Sequence, residues 1–228
     1  NWGYEAVGRF NSWEEIANYP IDNDRKGNRT VVPGDIKYKD QNNDGVINYL
    51  DERPIGYRVD STPTLNFGIN LAASWKGFDL AMDWTGSGMT SWQQCYETAR
   101  PFQNDGNSPD EVLKDAWHLS DIWDANSELI PGKYPMLRLN SDETSAYDKS
   151  TFWLHNVHYI KLRNLEFGYT LPKNWLGRSG ISNLRVFVSG TNLLTLSNLS
   201  VMDPECVSDN GLDYPPMRVI NLGVNLKF

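Results

Sequence analysis

The sequence predicts an all-β chain of antiparallel transmembrane strands, a segment of a β-barrel with long extracellular loops. Three observations carry this. Apolar and polar residues alternate with a period of two along several stretches, of which LNFGINLAASW (65–75) is the clearest. Those stretches match the roughly 9–11 residues of a tilted membrane-crossing strand rather than the roughly 5–6 of a soluble one. The connections between them alternate between short and long, as they do in outer-membrane barrels.

Residues 1–63 carry no such strand and read as an extracellular-side segment. Within it, KDQNNDGVINYLDER (39–53) has the spacing of a calcium loop. Asp40, Asn42, Asp44, the Val46 carbonyl, Asn48 and Asp51 occupy the ligand positions, and Gly45 stands at the sharp turn. Asp51 in place of the usual Glu shortens the last arm. Neither flank is an amphipathic helix, and an Asn/Asp/Gly turn held by its own hydrogen bonds uses the same residues, so both readings stay open.

From residue 64 to 228 the strands take over. In the first, Leu65, Phe67, Ile69, Leu71, Ala73 and Trp75 form one apolar face; Lys76-Gly77 turns the chain; Phe78, Leu80, Met82 and Trp84 resume the pattern as a hairpin. The connection at 90–157 is long, and in it Ser108 with Glu111 suggests a capping box opening a short helix whose apolar face is Val112, Leu113, Ala116 and Trp117. A strand at about 158–171 alternates strictly only in its second half; a medium connection follows at 172–182. The next strand, about 183–194, places Phe187 among its polar positions, and a second long connection runs over 195–216. Ile220, Leu222, Val224, Leu226 and Phe228 make the last apolar row. Trp75, Trp84, Tyr169 and Phe228 fall where aromatic girdles belong. A soluble calcium-dependent carbohydrate-binding β-module would also alternate and also carry Trp and Asn/Asp loops, and the pattern alone leaves it open.

Composition narrows the partners. A net charge of −8 and a pI near 4.9 exclude a nucleic-acid partner, which requires a basic face. No run of eighteen apolar residues is present. Five strands fall short of the smallest closed barrel, about eight, so the chain reads as one piece of a larger one. If the last strand ends in the periplasm, parity puts both long connections and the 39–53 loop outside.

The blocks GDIKYKDQNNDGVINYLDERPIG, PTLNFGINLAASWKGFDLAMDWTGSG, YIKLRNLEFGYTLPKNW, VSGTNLLTLS and YPPMRVINLGVNLKF resemble the C-terminal portion of SusC/RagA-type TonB-dependent transporters over essentially all 228 residues. The resemblance implies about five C-terminal strands of a barrel of about 22, in the outer membrane of Bacteroidetes-type bacteria. It further implies import of oligosaccharides or peptides together with a SusD-like surface lipoprotein. The plug and TonB box match nothing in this sequence, so contact with the TonB complex falls to parts of the protein outside this chain.

In that setting the calcium loop is structural, and the 90–157 loop is the substrate surface. Sugars offer apolar CH faces and hydroxyls, so flat aromatics beside acids and amides suit them; Trp92, Tyr96, Trp123 and Trp153 are the substrate candidates. The same rings also suit a small core within the loop. Phe228 reads as part of an assembly signal, because the resemblance implies that insertion machinery reads a C-terminal aromatic strand. His155 and His158 lack a third metal ligand nearby, and no catalytic motif is present, so no enzyme activity is expected. Cys95 and Cys206 either pair or stay separate, since sequence does not set their distance.

Overall fold

The computed structural model describes residues 1–58, 62–139, 143–177, 180–206, 210–211 and 213–228. In chain order its strands begin with β1 (Trp2–Gly3), β2 (Ala6–Arg9), β3 (Ile36–Tyr38), β4 (Arg53–Pro54), β5 (Leu65–Trp75) and β6 (Phe78–Gln93). They continue with β7 (His118–Leu119), β8 (Leu129–Ile130), β9 (Leu154–Thr170), β10 (Asn183–Ser197) and β11 (Val219–Lys227). Three short helices, α1 (Trp13–Ala17), α2 (Asp110–Lys114) and α3 (Lys173–Leu176), lie between them. None is long and apolar enough to cross a membrane.

Two compact units divide the chain. The first joins 1–61, 91–156 and 207–213; the second joins 62–90, 157–206 and 214–228. Residues 91–156, most of the long connection, cluster with residues 1–61.

The second unit is a five-stranded antiparallel sheet in the order β11-β10-β9-β6-β5. Lys76 and Gly77 both take positive φ, the combination that lets a two-residue turn follow the twist of its strands. A side chain at Gly77 would press on the Thr170 carbonyl at 2.8 Å. One face of the sheet is an exposed apolar row: Leu65, Phe67, Ile69 and Leu71 on β5, and Ile220, Leu222, Val224 and Leu226 on β11. An apolar surface of that extent is unstable in water and suits lipid.

The other face is polar, and it explains the irregular strands. Arg163 Nε donates to Thr85 Oγ1 at 3.0 Å, while the next residue, Asn164, donates to Asp83 at 3.1 Å. Consecutive residues therefore reach the same face, which a strand permits only where its phase slips. The slip sits at the bulge where the register of β10 shifts between Thr191 and Leu194, with Asn192 at positive φ. Phe187 is on the polar face because Gly168 and Gly223 stand opposite it in register; its ring lies over Gly223, and Arg185 lies 4.9 Å from its centroid.

The first unit has its own core, in which Tyr4, Ile36, Tyr38 and Ile47 pack with Val112, Ala116, Tyr134, Ala146, Tyr147 and Trp153. The Tyr38 hydroxyl donates to the Ser145 carbonyl at 2.7 Å. Buried Asn23 stands in for a missing strand beside β3, accepting from the Tyr38 N–H and donating to the Ile36 carbonyl, both at 3.0 Å. The capping box expected at Ser108 is not formed. Pro109 is the N-cap of α2 without a side-chain bond, and Glu111 instead accepts from the Tyr134 hydroxyl at 2.9 Å. Of the expected apolar face, Val112, Ala116 and Trp117 are buried and Leu113 is exposed. A five-residue helix is too short to turn all four inward.

Candidate metal loop and substrate surface

Between β3 and a 3-10 turn at Tyr49–Asp51, the 39–53 segment closes on itself through its side chains. The two Asp40 oxygens accept from the N–H groups of Asn43 (2.6 Å) and Gly45 (2.8 Å), and positive φ at Asn43 and Gly45 bends the backbone round them. Asp51 accepts from Gln41 N–H at 2.7 Å and Asn48 N–H at 2.9 Å. Asp44 accepts from Val46 N–H at 2.9 Å. That bond, with one from the Asn42 amide, holds the Asp44 carboxyl below the usual carboxylate range.

The result is three carboxylates whose ligand oxygens all lie within 4.8 Å of one another, the one such group found among the described residues. Like charges so close raise one another's energy, and a cation at their centre removes that cost. Each carboxylate oxygen has lone pairs to spare beyond its backbone bond, so the donor set fits a hard, oxygen-seeking ion. The other positions are arranged differently. Asn48 spends its oxygen capping the 3-10 turn at Leu50 N–H (2.9 Å), and its amide nitrogen faces the Val46 carbonyl at 3.1 Å. The Asn42 oxygen accepts from Asp44 N–H at 3.0 Å. Position nine of such loops commonly reaches its ion through water, which is consistent with the Asn48 geometry.

The loop needs no flanking helices because other contacts frame it. Asp22 N–H donates to the Gly45 carbonyl at 2.8 Å, Ile47 N–H donates to the Asp22 carbonyl at 2.9 Å, and the Ile47 side chain is in the core.

The four substrate candidates divide. Trp153 is 1% exposed, stacked between Tyr134 (5.8 Å) and Tyr147 (5.6 Å), with its indole N–H on the Ala146 carbonyl at 2.8 Å. Trp92 is buried and stacks on His155, whose Nε2 lies 3.0 Å from Gln94 Oε1. Trp123, by contrast, is 89% exposed on a turn held by Asp121 and Asp124, and Tyr96 is half exposed at positive φ. Phe228, past the end of β11, is exposed. Cys95 and Cys206 are each half-buried.

Sequence reasoning missed a charge cluster on the polar face of the second unit. Lys161 is 1% exposed, yet its ammonium donates to both Asp203 oxygens (2.7 and 2.8 Å) and to Glu205 (2.9 Å). Arg163 also pairs with Glu205, and Tyr159 donates to it at 3.1 Å. Further along, Arg185 Nε bonds Asp79 at 3.0 Å and its terminal nitrogen bonds Glu166 at 2.7 Å. The available signal was Lys161 and Arg163 at alternate positions of a strand, since a cation there requires an acid facing it.

No family model matches the chain. Among curated proteins it is 30% identical to TonB-dependent receptor P3 of Formosa agariphila over 98% of its own length, and 28% identical to TonB-dependent receptor P26 of the same organism over 99%. It spans 22% of the length of each. Its fold aligns over the whole chain with that of the RagAB peptide importer in the closed-closed state, with a TM-score of 0.64 at 22% identity and 23% of that chain covered. With the RagAB peptide transporter the TM-score is 0.61 at 21% identity. Likeness in sequence over nearly its full length to TonB-dependent receptors, and a fold like that of part of the RagAB transporters, make this chain similar to a portion of the TonB-dependent transporters of the outer membrane.

Proposed function

We propose that the chain supplies one sector of the barrel wall and a folded extracellular cap to a transporter that imports oligosaccharides or peptides. In this reading it acts with a SusD-like surface lipoprotein, and it draws on the TonB complex through parts of the protein outside this chain. The observation that carries the reading is the two-faced sheet, lipid-compatible on one side and lined by Lys161, Arg163 and Arg185 with their acids on the other. A soluble carbohydrate-binding module does not account for the exposed apolar row. The RagAB proteins are peptide importers; Trp123, exposed beside carboxylates, suits a sugar equally well. The 39–53 loop is read as a structural calcium site at the extracellular rim, with Asp40, Asp44 and Asp51 as its carboxylate ligands, and Phe228 as part of the barrel's assembly signal.

The test is uptake of fluorescent peptides and of fluorescent oligosaccharides by cells with and without the whole gene, in the presence and absence of TonB. Import that requires both the gene and TonB supports the reading. Equal uptake of every probe by wild-type and deleted cells rejects it.

A further inference from the structure

On the apolar face of the second unit, at the end of the sheet remote from the Lys76-Gly77 turn, lies a groove of about 570 Å³. One wall is Leu65 and Phe67 of β5; the other is Ile160 of β9 and Leu196 of β10, which are partners in register. Between the walls runs β6, which offers no side chain at two outward positions: Gly86 stands opposite Phe67, and Gly88 opposite Leu65. The Phe67 ring lies over Gly86 where a side chain would stand. A side chain at Gly88 would point between Leu65 and His158, so at this level the outward side of β6 is left empty. Ser87 and Tyr159 turn their hydroxyls to the other face, toward Asn66 and Glu205, which leaves the main chain of β6 and β9 as the floor.

A trench of this kind needs an occupant. Left empty, its lining forgoes dispersion contacts, and water finds no partners on apolar walls. Its volume falls within the roughly 300–1,000 Å³ of small-molecule sites. None of the lining residues is an acid, a lysine or an arginine, so the groove has no grip on a bare phosphate. At the end where the strands run into the long connections stand His158, which is exposed, with Ser197 and Asn198. The Asn198 side chain accepts from the His158 N–H at 2.9 Å and ties β10 to β9 there. These are hydrogen-bonding groups suited to hydroxyls.

We propose that this groove holds one acyl chain of an outer-leaflet glycolipid of the lipid A type. Continuity selects the occupant: the groove is cut into the same exposed apolar face that carries Leu65, Phe67, Ile69 and Leu71, the face that meets lipid. The chain follows the glycine track along β6 between the two walls, and the sugar hydroxyls stand level with His158 and Asn198. A lipid seated there touches protein on three sides, where its neighbours on the smooth part of the face touch it on one, and so it exchanges more slowly than they do. The proposal goes beyond the import reading and takes from it only the leaflet, since that reading places the long connections outside the cell.

The experiment extracts the intact transporter from outer membranes in mild detergent and counts bound lipid by native mass spectrometry. Wild type should keep a glycolipid, and Gly88→Leu, which fills the groove, should keep severalfold less. The replacement is mild for the fold, because Gly88 is not at positive φ and a Cβ there meets nothing nearer than the His158 Cβ at 3.7 Å. Gly88→Ala, which adds that Cβ and little more, should keep as much as wild type. Leu196→Ala removes an exposed part of the wall without filling the groove, and it should also lose glycolipid severalfold; it decides the matter if the leucine variant fails to show heat-modifiable migration. Equal glycolipid on wild type and on the folded variants, phospholipid kept in its place, or a wild type free of lipid would overturn the proposal. Uptake is not the readout, so a glycolipid lost with Gly88→Leu from a protein that imports no probe would support the groove and reject the import reading instead.

Discussion

At the scale of single residues, the calcium loop and Tyr147 make opposite predictions about what a side chain is for. On the proposed reading Asp40 and Asp44 serve an ion: their carboxylates are oriented by backbone N–H groups and, with Asp51, crowd one another. Asp40→Ala with Asp44→Ala should abolish calcium-dependent protection of residues 39–53 in hydrogen exchange and leave the strands as protected as before. Identical protection of the wild-type loop with calcium and with chelator would show that hydrogen bonds alone hold the turn. The effect should also fade in acid once the pH is low enough to protonate Asp44, whose lowered pKa keeps it ionised to a lower pH than an ordinary carboxylate. Tyr147→Phe removes a buried hydroxyl without a partner and should stabilise the first unit by about 1 kcal/mol. In wild type, a folded pKa of about 12 against an unfolded 10 means stability that is whole below pH 10 and lost as pH rises through 12. The Phe variant should lack that part of the alkaline loss, on the order of 2 kcal/mol. Comparing the two by Trp153 fluorescence in denaturant between pH 9 and 12 measures it, and a variant less stable at every pH refutes it.

At the scale of elements, legibility followed periodicity. β5 and β11 were readable almost to the residue because every apolar side chain points the same way. β9 and β10 were expected at about 158–171 and 183–194 and run over Leu154–Thr170 and Asn183–Ser197, but their faces were not legible, since the phase slip at Arg163-Asn164 and the bulge after Thr191 break the alternation. Phe187 looked misplaced because the two residues that make room for it, Gly168 and Gly223, lie in other strands. That compensation is testable. Gly223→Val should put its side chain into the Phe187 ring and cost about 1–3 kcal/mol, and adding Phe187→Ala should recover most of the loss. If the double variant is less stable than either single one, as judged by heat-modifiable migration on gels, the two positions are not coupled. The metal loop was legible for the same reason as β5, its spacing being local. The partners that bury Trp153 were not, because they include residues such as Tyr4 and Tyr38 that no local pattern connects to it.

At the scale of the whole molecule, the polar face and the apolar row set where closure occurs. β11 stands at one edge of the described sheet, and an unpaired strand in lipid leaves backbone groups unsatisfied at several kcal/mol each. Its outward row ends in Phe228, while Lys227 belongs to the other face by alternation. Phe228→Asp should therefore lower the folded protein in outer-membrane fractions severalfold, and Lys227→Asp should not. Equal amounts for both variants would remove any assembly role from the aromatic ring.

The two stretches that build the first core leave the β5–β6 hairpin between them, so its entry and exit are sewn together by contacts such as that of Tyr38 with Ser145, 107 positions apart. This imposes a schedule on biogenesis. Loops that distant close slowly, and the core has no second half until the hairpin has been made and the chain has returned. The surface unit is therefore a late event, and once formed it acts as a knot in the thread: β5 and β6 can neither slide past each other nor be drawn out singly without first dismantling the aromatic stack around Trp153.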